Sequence, residues 1–530
     1  MIRLEALSLD IHDREILRDV SLDIAPGKVT GLVGESGSGK SMTALAIMGL
    51  LPRGSVVSGR ALLDGGDLLA TPEREMCRLR GNRIGMIFQE PMTALNPVKT
   101  IGAQVAETLV VHGKARRAEA WEVARERLAR VGLPEERFAL SRYPHELSGG
   151  QRQRVCIAMA VALHPELLIA DEPTTALDVT TQAQILDLLN GLVDEEKMSL
   201  LLITHDLAVV AGTADHVAVM QGGRIVEQGP TEALFRTMAH PYTRKLFAAS
   251  SHQPERMAQG EDAPLLEVRD AVREYRTARE GLLGRPGRFR AVDGVSFTLG
   301  RGESLGLVGE SGCGKSTLTR AILGLDTLQA GAIRLGGQEI HAGPHLDPAI
   351  RRRMQVVFQD PYGSFNPRWT VERLVAEPFH LMDARPEDMQ GRVAAALTDV
   401  GIEPEAMGRY IHEFSGGQRQ RIAIARALIT NPDLIVLDEA VSALDVRVRA
   451  QILDLLARLQ AEHGMAYLFI SHDLSVVRRV TDRVLVMRAG RIVEQGETDA
   501  VFAEPAHAYT RALIAATPRI PADWQGGRDA

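Results

Sequence analysis

Short apolar runs that end at a glycine or a carboxylate punctuate the chain. "VTGLVG" (29–34) and "SLGLVG" (304–309) each lead into a glycine-rich loop, the pattern of a strand buried on both faces. "ELLIAD" (166–171), "DLIVLD" (433–438), "SLLLIT" (199–204) and "AYLFIS" (466–471) predict further buried strands. Residues 114–133, "KARRAEAWEVARERLARVGL", place apolar side chains near helical spacing with charges between them. They predict an amphipathic helix in a mainly helical insertion between the strands near Phe88 and Leu167. "HVAVMQGGRIVEQG" (216–229) has apolar runs on both sides of Gly-Gly and predicts a hairpin.

Nearly every pattern occurs twice. "GLVGESGSGKS" (31–41) returns as "GLVGESGCGKS" (306–316), and "FQEP" at Phe88 as "FQDP" at Phe358. "LLIADEP" at Leu167 is matched by "LIVLDEA" at Leu434, and "ITHDLAVV" at Ile203 by "ISHDLSVV" at Ile470. A period of roughly 270 residues is too long for a solenoid, so the chain is a tandem fusion of two α/β domains. The polar stretch 250–264, with prolines at both 254 and 264, reads as a linker. The expected division is residues 1–249, linker 250–264, and residues 265–530. "REYRTAREGLLGRPGRFR" (273–290) reads as a basic, solvated loop between the first strands of the second copy.

Composition narrows the function. A net charge of −7 and 4% aromatic residues over 530 positions leave no nucleic-acid footprint, so no nucleic-acid partner is expected. Cys77, Cys156 and Cys313 are far apart and match no metal spacing, which suits a reducing compartment. No apolar run approaches the ~20 residues that span a bilayer. Charges interrupt the N-terminus too early for a signal peptide. Any membrane role must come through a partner.

The candidate chemistry is nucleotide chemistry. Gly34-Glu35-Ser36-Gly37-Ser38-Gly39-Lys40-Ser41 fits G-x-x-x-x-G-K-S between a strand and a helical pattern. Its glycines let backbone N–H groups converge on phosphate oxygens, Lys40 reaches the β- and γ-phosphates, and Ser41 offers a hydroxyl to Mg²⁺. Gly309-Glu310-Ser311-Gly312-Cys313-Gly314-Lys315-Ser316 repeats the motif. Asp171 and Asp438 end apolar strands, where a metal-positioning carboxylate belongs, and Glu172 and Glu439 follow as candidates to orient or deprotonate the attacking water. Gln89 and Gln359 end strand-like runs, where an amide reaches the metal or the water. His205 and His472 sit at the carboxyl ends of strands beside these groups.

A second phosphate cradle lacks a lysine. In "LSGGQRQR", Ser148 caps a helix that begins with Gly149 and Gly150, and Gln151 completes an S-x-x-Q capping box. Ser415, Gly416, Gly417 and Gln418 repeat it. A bare helix N-terminus favours an anion.

Taken in order, these motifs resemble the ATP-binding subunits of ABC transporters over nearly the whole chain. The resemblance implies two RecA-like α/β cores, each with an antiparallel β subdomain and a helical signature subdomain, paired head-to-tail. Ser148 would then face ATP at Lys315, and Ser415 would face ATP at Lys40, the lysine coming from the other half. "FQEPMTALNP", "FQDPYGSFNPRWT" and the tails "HPYTRKLFAAS" (240–250) and "HAYTRALIAAT" (507–517) are similar to the oligopeptide and dipeptide importer subfamily, which serves uptake of peptides, nickel and glutathione. That subfamily implies ATP and Mg²⁺ as cofactors and two different membrane permease subunits. It also implies an external solute-binding protein and a peripheral position on the cytoplasmic face of the inner membrane. Many single-domain relatives carry a cysteine cluster near the C-terminus; none follows Cys313 here, so no iron–sulfur centre is expected.

Some positions depart from the pattern. Met42 stands where Thr317 stands in the second copy, and "DEAVSALD" replaces "DEPTTALD". Neither removes a group needed for hydrolysis, so two competent sites are expected. The adenine-stacking residue is open between Ile11 and His12 in the first copy, and between Tyr275 and Phe289 in the second. A ribosomal twin-ATPase would carry a long charged helical linker, a DNA-repair ATPase would carry cysteine pairs, and an exporter would carry its own spans.

Overall fold

Six consecutive buried residues, Val29–Gly34, form a central strand of a six-stranded sheet. The strand order is 224–230, 216–221, 29–34, 199–204, 167–171, 84–87, and only the first pair is antiparallel. A parallel sheet is covered on both faces, which is why its strands read as continuous apolar runs. The computed structural model describes residues 2–175, 177–255, 261–279, 286–343, 346–360, 363–382, 384, 386–442 and 444–524. In the second half, strands 354–357, 434–438, 466–470, 304–308, 483–488 and 491–497 repeat the same topology. The predicted hairpin turns on Gly222 and Gly223 at φ 54° and 81°, a turn that needs two left-handed residues.

Each half adds a four-stranded antiparallel sheet, 14–24, 2–11, 55–63 and 66–67 in the first and 286–301, 261–279, 330–335 and 338–339 in the second. The apolar alternation of Ile2–Ile11 slips phase between Leu4 and Leu7, both buried, because a bulge at Ala6 (φ 50°) inserts there. A Cβ on Gly59 would lie 2.4 Å from the Ala6 carbonyl oxygen, so the opposing strand needs glycine. Asp270 and Gly331 repeat the device.

The amphipathic segment forms the helix Arg117–Arg130, shorter at both ends than its pattern, and Gly132 (φ 83°) follows it. It packs with Ile101–Val111 and Gly149–Ala160 through Val105, Leu109, Ala124, Leu128 and Val155. In the second half the counterpart of Ile101–Val111 stops after Val371–Val375, because Pro378 breaks it into the 3-10 turn Glu377–Leu381.

The stretch 273–290 is not the loop its composition suggests. Residues through Arg279 belong to the strand Glu261–Arg279, and those from Pro286 to Pro286–Arg301; 280–285 lie outside the described residues. Glu274 pairs with Arg290 and Arg288, and Tyr275 faces Phe289 across the ladder. Cross-strand charge pairs hold this hairpin, so it has no apolar periodicity to read. Of the expected linker, Ser250 and Ser251 finish the helix Pro241–Ser251, residues from 261 begin a strand, and 256–260 lie outside the described residues.

The tails cross over. Pro241–Ser251 packs on Val446–His463 of the second half, and Ala508–Ala516 on Val179–Glu196 of the first. His252 Nε2 lies 2.6 Å from Asp454 Oδ1, and Pro254 is buried at a small cavity with Leu453, Leu456 and Phe469. At the other end Trp524 packs its ring on Phe235, and Arg236 pairs with Asp523 at 2.5 Å.

Candidate active site

The strand Val29–Gly34 delivers the chain into a loop whose Gly37 and Gly39 take φ 77° and 106°. A Cβ on Gly39 would meet Leu17 Cδ2 at 2.6 Å. The helix Lys40–Met48 starts there with no side-chain cap, so its first N–H groups stay open for an anion. Gly314 (φ 115°) and the helix Lys315–Ile322 repeat this start. Lys40, buried, donates from Nζ to the carbonyls of Gly34 and Glu35 at 2.8 and 2.9 Å. Lys315 donates to Gly309 and Glu310 at 2.6 and 2.9 Å. Burial lowers the Lys40 ammonium, and the carboxylates of Glu172 and Asp171 only partly offset it.

Behind the loop, Ser41 Oγ donates to Asp171 Oδ1 at 3.2 Å. Burial raises the Asp171 carboxyl, and the Ser41 bond pulls it back in part. Burial raises Asp438 likewise, with Glu439 adding to the rise.

Glu172 sits in the left-handed region, φ 48°, and so does Glu439, φ 50°. Such a conformation costs a non-glycine residue on the order of 1–3 kcal/mol and persists where the surroundings hold it. Glu172 N donates to Ile203 O at 2.9 Å and Glu439 N to Ile470 O at 2.8 Å, tying both to the neighbouring strand. The Glu172 carboxylate meets His205 Nδ1 at 3.2 Å, accepts from Gln89 Nε2 at 3.1 Å, and accepts from Thr175 Oγ1 at 2.9 Å. Burial alone would raise this carboxyl; the His205 bond and charge, the Thr175 bond and Lys40 outweigh it and hold it below its ordinary range. The result is an ionised carboxylate in a partly buried site, suited to orienting or deprotonating a water.

In the second half His472 Nδ1 stands 3.2 Å from Glu439 Oε1, and the carboxyl is again net lowered against burial. Ser442, at the place of Thr175, donates instead to the Glu439 carbonyl at 2.9 Å. Gln359 and Asp438 line a cavity of about 620 Å³ with Arg426 and Glu377.

Both capping boxes form. Ser148 Oγ accepts from Gln151 N at 3.3 Å and Gln151 Oε1 accepts from Ser148 N at 2.9 Å; Ser415 and Gln418 do the same at 3.4 and 3.0 Å. Ser148, Gly149, Ser415 and Gly416 are exposed, with their helix starts open. Met42 packs partly buried against the first core. His12 takes φ 45°, Ile11 packs on the same core, and the Tyr275 ring carries the Arg273 guanidinium at 4.6 Å.

The halves touch at the P-loops. Arg447 Nη1 donates to Glu35 Oε1 at 2.9 Å, Thr180 Oγ1 donates to Glu310 Oε1 at 2.7 Å, and Ser311 N donates to Asp178 Oδ2 at 3.3 Å. Asp178 also caps its own helix by accepting from Thr181 N at 3.0 Å. From each tail, a buried tyrosine hydroxyl accepts from the P-loop: Glu35 N to Tyr242 at 3.2 Å, Glu310 N to Tyr509 at 3.0 Å. Burial pushes the Tyr242 phenol up to about 12, so it stays neutral. Sequence reasoning missed Thr175, Thr180, Arg447 and both tyrosines; the one signal was the repeated tail.

Residues 17–175 and 292–442 match the ABC transporter family, and residues 226–268 and 493–529 match the oligopeptide/dipeptide transporter C-terminal region. The chain is 50% identical to the peptidoglycan transport ATP-binding protein YejF of Agrobacterium fabrum, covering 95% of this chain and 93% of that protein. It is 48% identical to the glutathione import ATP-binding protein GsiA of Escherichia coli K12, over 95% of this chain and 86% of that one. An archaeal ribosome recycling factor, solved with a ribosomal stalk protein, overlays with TM-score 0.61 at 22% identity, covering 91% of this chain and 88% of that one, a likeness of fold alone. With two nucleotide sites built on the same plan and this similarity over almost its whole length, the chain belongs to the ABC transporter family, as an ATP-hydrolysing protein with two ABC domains in one polypeptide.

Proposed function

We propose that the chain is the energy-coupling subunit of a binding-protein-dependent importer for peptides or peptide-like solutes, bound to the cytoplasmic face of the inner membrane through two different permease subunits. The observation that carries this reading is the link between tail and site. Both tails match the oligopeptide/dipeptide transporter region, and the tyrosine of each is bonded to its own P-loop. Names of relatives point the same way: one serves peptidoglycan transport and another glutathione import, and glutathione is itself a short peptide. Nickel remains an alternative within the subfamily. Among the described residues no helix is long and apolar enough to cross a membrane, so coupling runs through partner subunits.

The working unit is residues 1–249 against residues 265–530. Each P-loop cradles the phosphates of ATP with its open helix start and its lysine. Ser148 closes on the site of Lys315 and Ser415 on that of Lys40, a pairing supported by the Arg447–Glu35 and Thr180–Glu310 bonds. Ser41 and Asp171, already within hydrogen-bond distance, suit Mg²⁺, which takes one or two protein oxygens and completes its shell with phosphate and water. Ser316 and Asp438 are the second pair, with Gln89 and Gln359 at the metal or the water. Bound there, the ion would neutralise charge on the β- and γ-phosphates. Glu172 and Glu439, ionised and oriented by His205 and His472, take the proton of the attacking water. Closure moves the permeases and hydrolysis resets them.

Purification of the chain from mild-detergent extracts of its own cell tests this. Two different polytopic membrane proteins coming with it are the expected outcome. Ribosomal proteins or nucleic acid instead would overturn the transport reading.

A further inference from the structure

Glu35 uses all three of its polar groups on three different parts of the molecule. Its N–H donates to Tyr242 of the tail, its carbonyl accepts from Lys40, and its carboxylate pairs with Arg447 of the other half. Glu310 does the same with Tyr509, Lys315 and Thr180. One residue of each P-loop therefore joins the opposite helix to the P-loop lysine. The two links differ in kind. Arg447 places a full cation against Glu35. Thr180 has one hydroxyl proton, and its Oγ1 lies 2.7 Å from Glu310 Oε1 and 3.2 Å from Asp178 Oδ1. Among the described residues neither carboxylate pairs with a cation, the second bond across this seam, from Ser311 N to Asp178 Oδ2 at 3.3 Å, also has a neutral donor, and a neutral donor is weaker than a charged one.

We propose that Arg447 and Thr180 are positioning residues acting on the opposite ATP site through the P-loop glutamate, and that the cation at Arg447 makes the Lys40 site close more tightly and release nucleotide more slowly than the Lys315 site. The inference rests on the twin-ATPase, paired-halves reading above. The Arg447–Glu35 pair is part-exposed, so its effect is small and screened by salt: about two- to fivefold in residence time at low ionic strength.

The test uses the purified full chain loaded with 8-azido-ATP and Mg²⁺, chased with ATP, photolysed at intervals, and mapped by peptide mass spectrometry to each P-loop. The readout is the ratio of the two sites within one molecule, which a general loss of fold does not move. In ~50 mM salt the label should persist longer at Lys40, and the difference should fade as the Debye length shrinks to about 3 Å near 1 M salt. Arg447→Thr should bring the ratio to one, Arg447→Lys should restore part of it, and Thr180→Arg in the Arg447→Thr background should invert it. Equal residence at both sites in low salt, or a ratio indifferent to Arg447→Thr, overturns the inference while leaving the paired ATPase intact. Label at neither site overturns both.

Discussion

His205 Nδ1 stands 3.2 Å from Glu172 Oε1, and His472 Nδ1 stands 3.2 Å from Glu439 Oε1. The pair recurs with the same geometry in both halves, on carboxylates held at positive φ beside the last residue of the strand that carries them. The arrangement keeps an ionised carboxylate at a fixed point in front of the P-loop.

Replacing both carboxylates, Glu172→Gln with Glu439→Gln, should reduce turnover by about 10²–10⁴-fold, the scale of a lost general base. ATP-stabilised closure should survive. Phosphate release measured alongside nucleotide trapping checks both; release at the wild-type rate would remove these residues from the chemistry.

The pH profile follows from the same pair. Burial alone would raise the Glu172 and Glu439 carboxyls, and the histidines are the leading groups that reverse it. A general base works when deprotonated. Removing its stabiliser raises its pKa, so activity fails at a higher pH on the acid side. His205→Ala with His472→Ala should shift the acid limb of the kcat profile upward; an unmoved limb would mean that the histidines serve only to sense the phosphate.

Tyr242→Phe leaves the Glu35 N–H without its partner in a part-buried site, a loss of about 1–3 kcal/mol. Because Glu35 also holds Lys40, nucleotide affinity at the first site should drop by roughly fivefold or more, with Tyr509→Phe doing the same at the second. Site-resolved ATP titration distinguishes this from a uniform loss.

Head-to-tail pairing has its own check. Ser148→Arg puts a bulky cation at the exposed start of the helix Gly149–Ala160 and should impair hydrolysis at the Lys315 site more than at the Lys40 site. Stronger loss at Lys40 would assign that cradle to its own half.

Gly59→Ala drives a Cβ to within 2.4 Å of the Ala6 carbonyl oxygen at φ 90°, at a cost on the order of 1–3 kcal/mol. The midpoint of the first thermal unfolding transition should fall, whereas Gly65→Ala at φ 87°, with open space around it, should cost less.

Much of this was legible because it is local. The capping boxes of Ser148 and Ser415 span four residues, the Gly-Gly turn spans two, and the P-loop spans eight, so spacing alone carries the geometry. The hairpin built on 273–279 and 286–290 was not legible, since its ladder is held by Glu274 with Arg288 and Arg290 rather than by an apolar face. The slip at Ala6 is visible in the sequence as a change of phase between Leu4 and Leu7, but its partner at Gly59 is not.

By itself the sequence determined the buried strands of the two central sheets, the helix starts, the phosphate-binding loops and the duplication. Each rests on contacts between near neighbours or on burial that every strand must satisfy. Only the tertiary structure decided which groups stand together from far apart. Thr180 and Glu310 are 130 positions from each other, and Arg447 and Glu35 are 412. No periodicity relates such residues; the packing of one half on the other brings them into range. The left-handed backbone at Glu172 and Glu439 belongs to that second class, because an unusual φ is paid by the neighbouring strand and not by the residue that adopts it.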